Sequence, residues 1–338
     1  MSMTPASDMA NALFLRRKTA TLKSALARHG QELTTGRFAD PLRSLRGETA
    51  ALAALERTRT ALDAHDMATT EAAIHTAGQQ KVLDRMRLSA MDIARQLFNF
   101  GSAVPPQMVE TAGYIGGSAF RDAVSALNTR ISDRSLFAGV ASDGPALAPA
   151  EDIVTALMLE IDGLETAEEV AVRVFAWFDT PGGGFDISGQ GFIGATLAEG
   201  PLAIAPGERI SLGVTGARPE LRAALGGFAL AAVVEAGALP GEPAARAELL
   251  QRAAERLAGA PVGLTALAGE VGDTEARIEN AAVRNANERT ALDVALNDLV
   301  GVEALDAATR LEETRVRIES LFALTARLQR MSLTEFLR

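Results

Sequence analysis

Apolar and small residues recur at alternating steps of three and four along the C-terminal stretch: Leu311, Thr314, Ile318, Leu321, Thr325 and Leu328. That spacing is a heptad seam. It predicts a helix over residues 303–331, about 40 Å long at a rise of 1.5 Å per residue. Leu292, Leu296 and Leu299 carry a similar spacing upstream of Gly301, and Leu83, Met86, Ala90, Ile93 and Leu97 repeat it in the first half. Leu22, Leu26 and Leu33 continue it near the start. No proline lies between Pro41 and Pro105, and none from Asp273 to Arg338. Both stretches are rich in Ala, Leu, Glu and Arg, which favour helix. A seam leucine contributes roughly 1.5–3 kcal/mol once buried, but an isolated helix has nowhere to bury it. The two ends therefore need partners. Those partners are each other, in an intramolecular bundle, or other copies of the chain.

The middle has a different rhythm. Between Pro181 and Pro219 glycines and prolines crowd together, separated by short apolar runs: Phe192-Ile193, Leu202 to Ile204, and Ile210 to Val214. These predict short strands joined by turns. Helical patterns flank them at 167–178, 219–235 and 242–257. The expected fold is mainly α: a long antiparallel helical bundle or coiled coil formed by the N- and C-terminal arms, with a small inserted α/β module. The corresponding domains are a terminal coiled-coil domain (1–44 and 303–338), a helical bundle (45–150 and 259–302) and an inserted outer module (151–258).

Composition narrows the classes. The 338 residues, about two or three domains' worth, are 48% hydrophobic and 22% charged, which excludes disorder throughout. The chain has no cysteine, which removes disulfides, thiolate metal sites and cysteine nucleophiles. A net charge of −10 argues against a dedicated nucleic-acid binder, which needs a basic footprint. No uncharged apolar run approaches the roughly 20 residues of a membrane span; the longest, Ala223 to Val234, stops at Glu235. The start does not fit a Sec-type signal peptide either. Asp8 precedes the short apolar stretch and Arg16, Arg17 and Lys18 follow it, the reverse of the usual order.

Four patterns carry candidate chemistry. Gly189, Gly191 and Gly194 spell G-x-G-x-x-G, but Gly200 and Pro201 leave no room for the helix whose N-terminus would hold a pyrophosphate. Pro181 to Asp186 could cradle an anion, yet it lacks a P-loop lysine and fits a tight turn. His29, His65 and His75 are too few and too separated for a metal site, and solvated helix faces are expected for them. Carboxylate pairs such as Glu168-Glu169 and Glu312-Glu313 sit beside arginines in helical patterns, where i,i+4 pairing explains them. No catalytic, cofactor or metal-binding constellation is expected. A soluble enzyme using the Gly-rich insert and a coiled-coil adaptor are the competing classes.

Particular residues also resemble a family. The run from Leu22 to Arg37 closes on Glu32-Leu33-Thr34-Thr35-Gly36-Arg37, with the turn Ala39-Asp40-Pro41 behind it. It resembles the end of the first helix of bacterial flagellin-type axial proteins. Leu136-Phe137-Ala138-Gly139, followed by Asp143, resembles their stretch after the second long helix. Leu311 to Leu337 is similar to their terminal helix. Within the family the chain looks most like the hook-associated protein 3 branch, through Phe175 to Phe185 and the closing residues Arg327 to Leu337. Filament flagellin is the nearest alternative.

The resemblance implies a structural, non-enzymatic subunit joining hook and filament, exported through a narrow channel without a cleaved signal peptide and located in the extracellular flagellum. It implies self-assembly into a ring or helical tube, a neighbouring hook-associated protein and flagellin as partners, and an export chaperone. Terminal helices of this kind are expected to order into coiled coils on assembly. Here the assembly interface would consist of Leu13, Leu22, Leu26 and Leu33 against Leu311, Ile318, Leu321 and Leu328 of the same and adjacent copies. No cofactor, nucleic acid or membrane partner is expected.

Overall fold

The computed structural model describes residues 5–41, 49–98, 105–187, 189–198 and 200–336. Eight α-helices are present among them: α1 Pro5–Thr35, α2 Ala50–Leu97, α3 Pro106–Leu127, α4 Ala150–Glu160, α5 Ala167–Asp179, α6 Pro219–Glu235, α7 Pro243–Val300 and α8 Ala304–Phe336. Two antiparallel hairpins complete the set: β1 Arg130–Ile131 with β2 Arg134–Ser135, and β3 Leu202–Ala205 with β4 Glu208–Ile210. The mainly helical architecture with small sheets is the one the sequence pattern predicts. The chain divides into two compact units, Met1–Leu62 with Ala286–Arg338, and Asp63–Asn285.

In the unit 63–285, α6 is the centre. Its residues from Leu221 to Val234 are nearly all buried, so the apolar run that comes closest to a membrane-span pattern is a core helix. α3, α4 and α5 pack around α6. α7 holds it from another side, with Arg256 donating to Ala223 O (3.2 Å) and Arg246 to Val234 O (2.8 Å). Thr166 caps α5: its hydroxyl accepts from Glu169 N and donates to Glu169 Oε2 at 2.7 Å. Aromatics are scarce in the chain, and those present concentrate in this core. Trp177, Phe178, Phe185 and Phe192 are buried neighbours with ring centroids 4.8–6.3 Å apart.

Leu136, Phe137 and Ala138 form the junction between the core and the Gly-rich segment. All three are buried, and their backbone is used at every step. Gln79, buried on α2, donates to Leu136 O (2.7 Å) and Val214 O (3.1 Å). Gly216 N donates to Phe137 O and Ala195 N to Ala138 O, both at 2.8 Å. Gly139 follows with φ +60°, and a Cβ there would collide with the carbonyl oxygens of Ala195 and Leu197. The residue must be glycine for two reasons at once.

The hairpin β3–β4 buries Ile204, Ala205 and Ile210, with Leu212 beyond it, against Ala72 of α2 and Ile278 and Ala281 of α7. Asn285 donates to Ile204 O (2.9 Å), and Arg284 and Arg277 pair with Glu208. β1–β2 turns through Ser132 and Asp133, both at positive φ, the backbone of a type I′ hairpin.

The division of the proline-free stretch at Gly301, between α7 and α8, is the expected one. Two other sequence expectations need adjustment. The helical pattern ending near Leu257 continues as α7 to Val300, through Pro261; a proline removes one backbone bond, and the packed faces on either side of it keep the helix running. The strand expected over 210–214 ends at Ile210, and Phe192 makes only an isolated bridge to Leu147.

The segment Pro181 to Asp186 is filled from within. Gly182 N donates to Asp186 Oδ2 (2.8 Å), and Arg222 bridges both Asp186 oxygens while its guanidinium lies 4.8 Å from the Phe185 ring centroid. The hydrogen bond from Arg222, helped by the Gly182 amide, holds the Asp186 carboxyl below the usual carboxylate range, against the opposing effect of burial.

Two outcomes follow for stability. Gly139→Ala should lower the stability of this unit by about 2 kcal/mol or more, from left-handed strain plus displaced carbonyls, whereas Gly207→Ala, at φ +74° with open space around it, should cost about 1 kcal/mol; thermal denaturation of both variants checks the ordering. Because the folded Asp186 has the lower pKa, its pair with Arg222 is fully stabilising above the unfolded carboxyl's pKa of about 3.9 and is lost as pH falls through the folded value. Denaturation midpoints of Asp186→Asn and the parent chain should therefore differ at neutral pH and converge in acid.

Candidate assembly interface

In the unit formed by 1–62 and 286–338, α1 packs along α8. Each presents one stripe to the other. On α8 the inward residues are Ala307, Leu311, Thr314, Ile318, Leu321 and Thr325, at steps of four and three, with Ala307 and Thr314 buried and the rest half-buried. On α1 they are Leu15, Thr19, Leu22, Leu26 and His29, again at steps of four and three. This alternation is a left-handed coiled-coil seam, and small threonines at some positions let the backbones approach.

The sequence-derived interface residues fall into three groups. Leu22 and Leu26 on α1 and Leu311, Ile318 and Leu321 on α8 lie in the seam, half-buried. Leu13 (57% exposed) lies off it, and Leu33 continues its register four residues past His29 but is 39% exposed at the end of the helix. The side chain of Leu328 is outside the described residues. Sequence reading passed over Leu15, Thr19 and His29. Extending the four-three alternation backwards and forwards from Leu22 and Leu26 reaches all three, but a threonine and a histidine carry little hydrophobic signal. Phe14 is also exposed (59%), as are Val316, Phe322 and Leu324 on α8. One copy therefore covers its seam only partly and leaves a second apolar set in solvent.

The end of α1 is fastened by the motif Glu32 to Arg37. Gly36 adopts φ +66°, the left-handed residue that ends a helix, and its amide donates to Glu32 O (2.9 Å). The chain then pairs with the α7–α8 junction: Phe38 N donates to Val300 O (3.0 Å), Val302 N to Gly36 O (2.9 Å), and Arg37 bridges Gly301. Thr35 Oγ1 donates to Gln31 O (2.8 Å). Glu32 is buried beneath this crossing, with one carboxylate oxygen 2.9 Å from His29 Nδ1 and the other accepting from Ala39 N (3.3 Å). A second short stretch, Leu55 and Leu62 of α2 with Leu292 and Leu296 of α7, forms a small core of its own in this unit.

The remaining candidates are occupied by ordinary structure. The histidines are not solvated as expected: all three are half-buried, His29 against Glu32 and His65 with its Nδ1 3.2 Å from Ala203 O. Gly191 and Gly194 pack edge-on against Phe185 and Ala138. Among the described residues no cluster of three or more potential metal ligands occurs, and no helix is long and apolar enough to cross a membrane.

Comparison with known proteins bears on this region. Residues 256–337 match the family model of the bacterial flagellin C-terminal helical region, which takes in the larger part of α7 and all of α8. The resemblance of the C-terminal segment from Leu311 to flagellin-type axial proteins is borne out there. No curated protein matches the chain. A solved structure described as a flagellar hook-associated protein from Vibrio parahaemolyticus is similar at 13% identity and a TM-score of 0.40, covering 76% of this chain and 95% of that one.

Glu32→Ala removes the acceptor that spans the crossing. It should lower the stability of this unit by about 1–3 kcal/mol, the range for stripping the partner from buried donors, and hydrogen exchange should speed up at the amides of Phe38 and Val302 ahead of those in the middle of α8.

Proposed function

We propose that the chain is a non-enzymatic structural subunit of the bacterial flagellum, assembling through its terminal segments 1–44 and 303–338, and that it occupies the junction between hook and filament. The observation that carries the reading is the α1–α8 pair: a heptad seam half-covered within one copy, with a further exposed apolar set on the same helices, of which α8 lies in the region that matches the flagellin C-terminal helical model. A lone pair of long helices bearing two apolar faces gains by packing against further helices, and neighbouring copies supply them in register. Leu22, Leu26, Leu311, Ile318 and Leu321 then close fully, and Leu13, Leu33, Phe14 and Phe322 meet adjacent copies. Fixing each terminal residue costs on the order of 1–2 kcal/mol of backbone entropy. Many contacts must therefore form together, and assembly is cooperative.

In this reading the subunit is exported to the cell exterior, attended by a chaperone, and contacts a hook-associated protein on one side and flagellin on the other. The unit 63–285 serves as a folded body, and its segment 151–258 faces outward. Filament flagellin itself is the second reading, favoured by the same matched region. The enzyme reading has less support, since Gly191 and Gly194 are packed against Phe185 and Ala138 and Asp186 is tied to Arg222.

Removal of Met1 to Arg37, or of Leu311 to Arg338, should abolish assembly and motility while the thermal transition of the unit 63–285 stays nearly unchanged. Electron microscopy of cells lacking the protein separates the two flagellar readings: hooks without filaments support the junction, and intact filaments exclude it.

A further inference from the structure

The long helix α2 carries two stripes, and only one of them is spent on the core. Leu83, Met86, Ala90, Ile93 and Leu97 are buried in the unit 63–285. Round the other side of the helix runs a second alternation of threes and fours, and every position in it is exposed. Its a positions are Met67, Ile74, Lys81, Leu88 and Arg95, and its d positions are Thr70, Ala77, Asp84, Met91 and Phe98. A step of seven residues brings a helix back to within about 20° of the same side, so these positions share one face over about 47 Å. Met67, Ile74, Leu88, Met91 and Phe98 are between 43% and 74% exposed. Such a row of large apolar side chains in water marks a contact surface.

The stripe complements itself when one copy is reversed. Reversing a helix exchanges the order of a and d, so each a residue faces a d residue of the other copy. With a two-fold axis between positions 82 and 83, Lys81 faces Asp84 of the second copy, Leu88 faces Ala77, Ile74 faces Met91, Met67 faces Phe98 and Arg95 faces Thr70. Opposite charges meet at the centre, and apolar residues meet on either side. Parallel pairing would set Lys81 against Lys81 and Asp84 against Asp84. An antiparallel pairing shifted by one heptad would set both charges against apolar residues, and either arrangement leaves charges in the seam without a partner. Within one copy Arg87 donates twice to Asp84, both times to Oδ1 (2.8 and 3.2 Å), and Oδ2 is left to accept from Lys81. Beside the N-terminal half of the stripe a cavity of about 740 Å³ is lined by Met67 and Ile74 with Ile131, Leu202 and Leu212. The antiparallel register carries Phe98 and Met91 of the second copy to that level.

We propose that the outer face of α2 binds the same face of a second copy of this chain, antiparallel, with Lys81 and Asp84 paired across the two-fold axis. The contact is isologous and closed, so it makes a dimer and does not extend. A charged pair at the middle of an apolar seam fixes register and direction at some cost in affinity. The inference uses the unit 63–285 alone and stands apart from the reading of the terminal segments. In a tube built head to tail every copy points the same way, so an antiparallel pair parts before either copy enters it. The dimer is thus a soluble form of the subunit that keeps the α2 face out of water.

The test uses the full-length chain, whose lack of cysteine lets single introduced thiols report contacts. Thr70→Cys and Arg95→Cys chains, mixed and oxidised with glutathione disulfide, should form a covalent dimer. Thr70→Cys alone should form none, because the two copies of that residue lie about 38 Å apart along the axis, far beyond the reach of a disulfide. Adding Lys81→Glu to both chains, or Asp84→Lys to both, should slow the cross-link by about tenfold or more, since like charges then meet. Lys81→Glu in one chain and Asp84→Lys in the other should restore it, since opposite charges then face each other at both pairs. All substituted positions are exposed, and circular dichroism establishes that each chain is folded. A mixture without the 70–95 link overturns the proposal, as does a 70–70 link from Thr70→Cys alone. Charge variants that cross-link at the parent rate, or a complementary pair that fails to recover, overturn it too. A Thr70→Cys chain that links to Leu13→Cys in place of Arg95→Cys gives the face to a terminal helix and overturns it as well.

Discussion

A helix that carries an apolar stripe is stable in water only when that stripe is covered, and the two units meet this requirement to different degrees. In 63–285 the central helix α6 is apolar around its circumference, and α3, α4, α5 and α7 enclose it. The demand is met inside one chain. In the terminal unit α1 and α8 cover one stripe between them, and most of the residues facing it are only half-buried. A two-helix pair has no third side, so Phe14, Phe322 and Leu324 stay in solvent. The completeness of the first unit and the incompleteness of the second both stem from how many helices are available to surround each stripe.

Two of the sequence motifs, Glu32 to Arg37 and Leu136 to Gly139, are places where backbone meets backbone. Glu32 to Arg37 ties the end of α1 to the α7–α8 junction by main-chain hydrogen bonds, over a buried carboxylate. Leu136 to Gly139 offers its carbonyls to Gln79, Ala195 and Gly216 while its side chains fill the core. Side-chain identity matters at such crossings because a glycine's missing Cβ, or one acceptor in the right place, decides whether two segments can touch. These are fastening points, and the surfaces that remain open for partners lie elsewhere on the same helices.

Much of this was legible from spacing alone. The C-terminal seam from Leu311 to Thr325 is the inward stripe of α8, and α6 spans the predicted 219–235. The N-terminal seam was read in part: Leu22, Leu26 and Leu33 are in its register, but it also runs through Thr19 and His29, residues whose burial follows from position in the heptad and not from their own hydrophobicity, and Leu13 sits off it. The helical pattern was read only to Leu257, yet the helix runs on through Pro261, held on both sides by tertiary contacts such as Arg256 with Ala223 and Arg277 with Arg209. The packing of β3–β4 on Ala72 and Ile278 was out of reach, since nothing in the short hairpin segment from Leu202 to Ile210 specifies which distant helices it will cover.

The single tryptophan and the single tyrosine, Trp177 and Tyr114, both belong to the unit 63–285, and the indole is sealed among Phe178 and Phe185. Intrinsic fluorescence of this chain is therefore a report on one part of it. Its colour and intensity follow the melting of the aromatic nest, while α1 and α8, which have no indole or phenol, can pair, separate or join neighbours without dimming the signal.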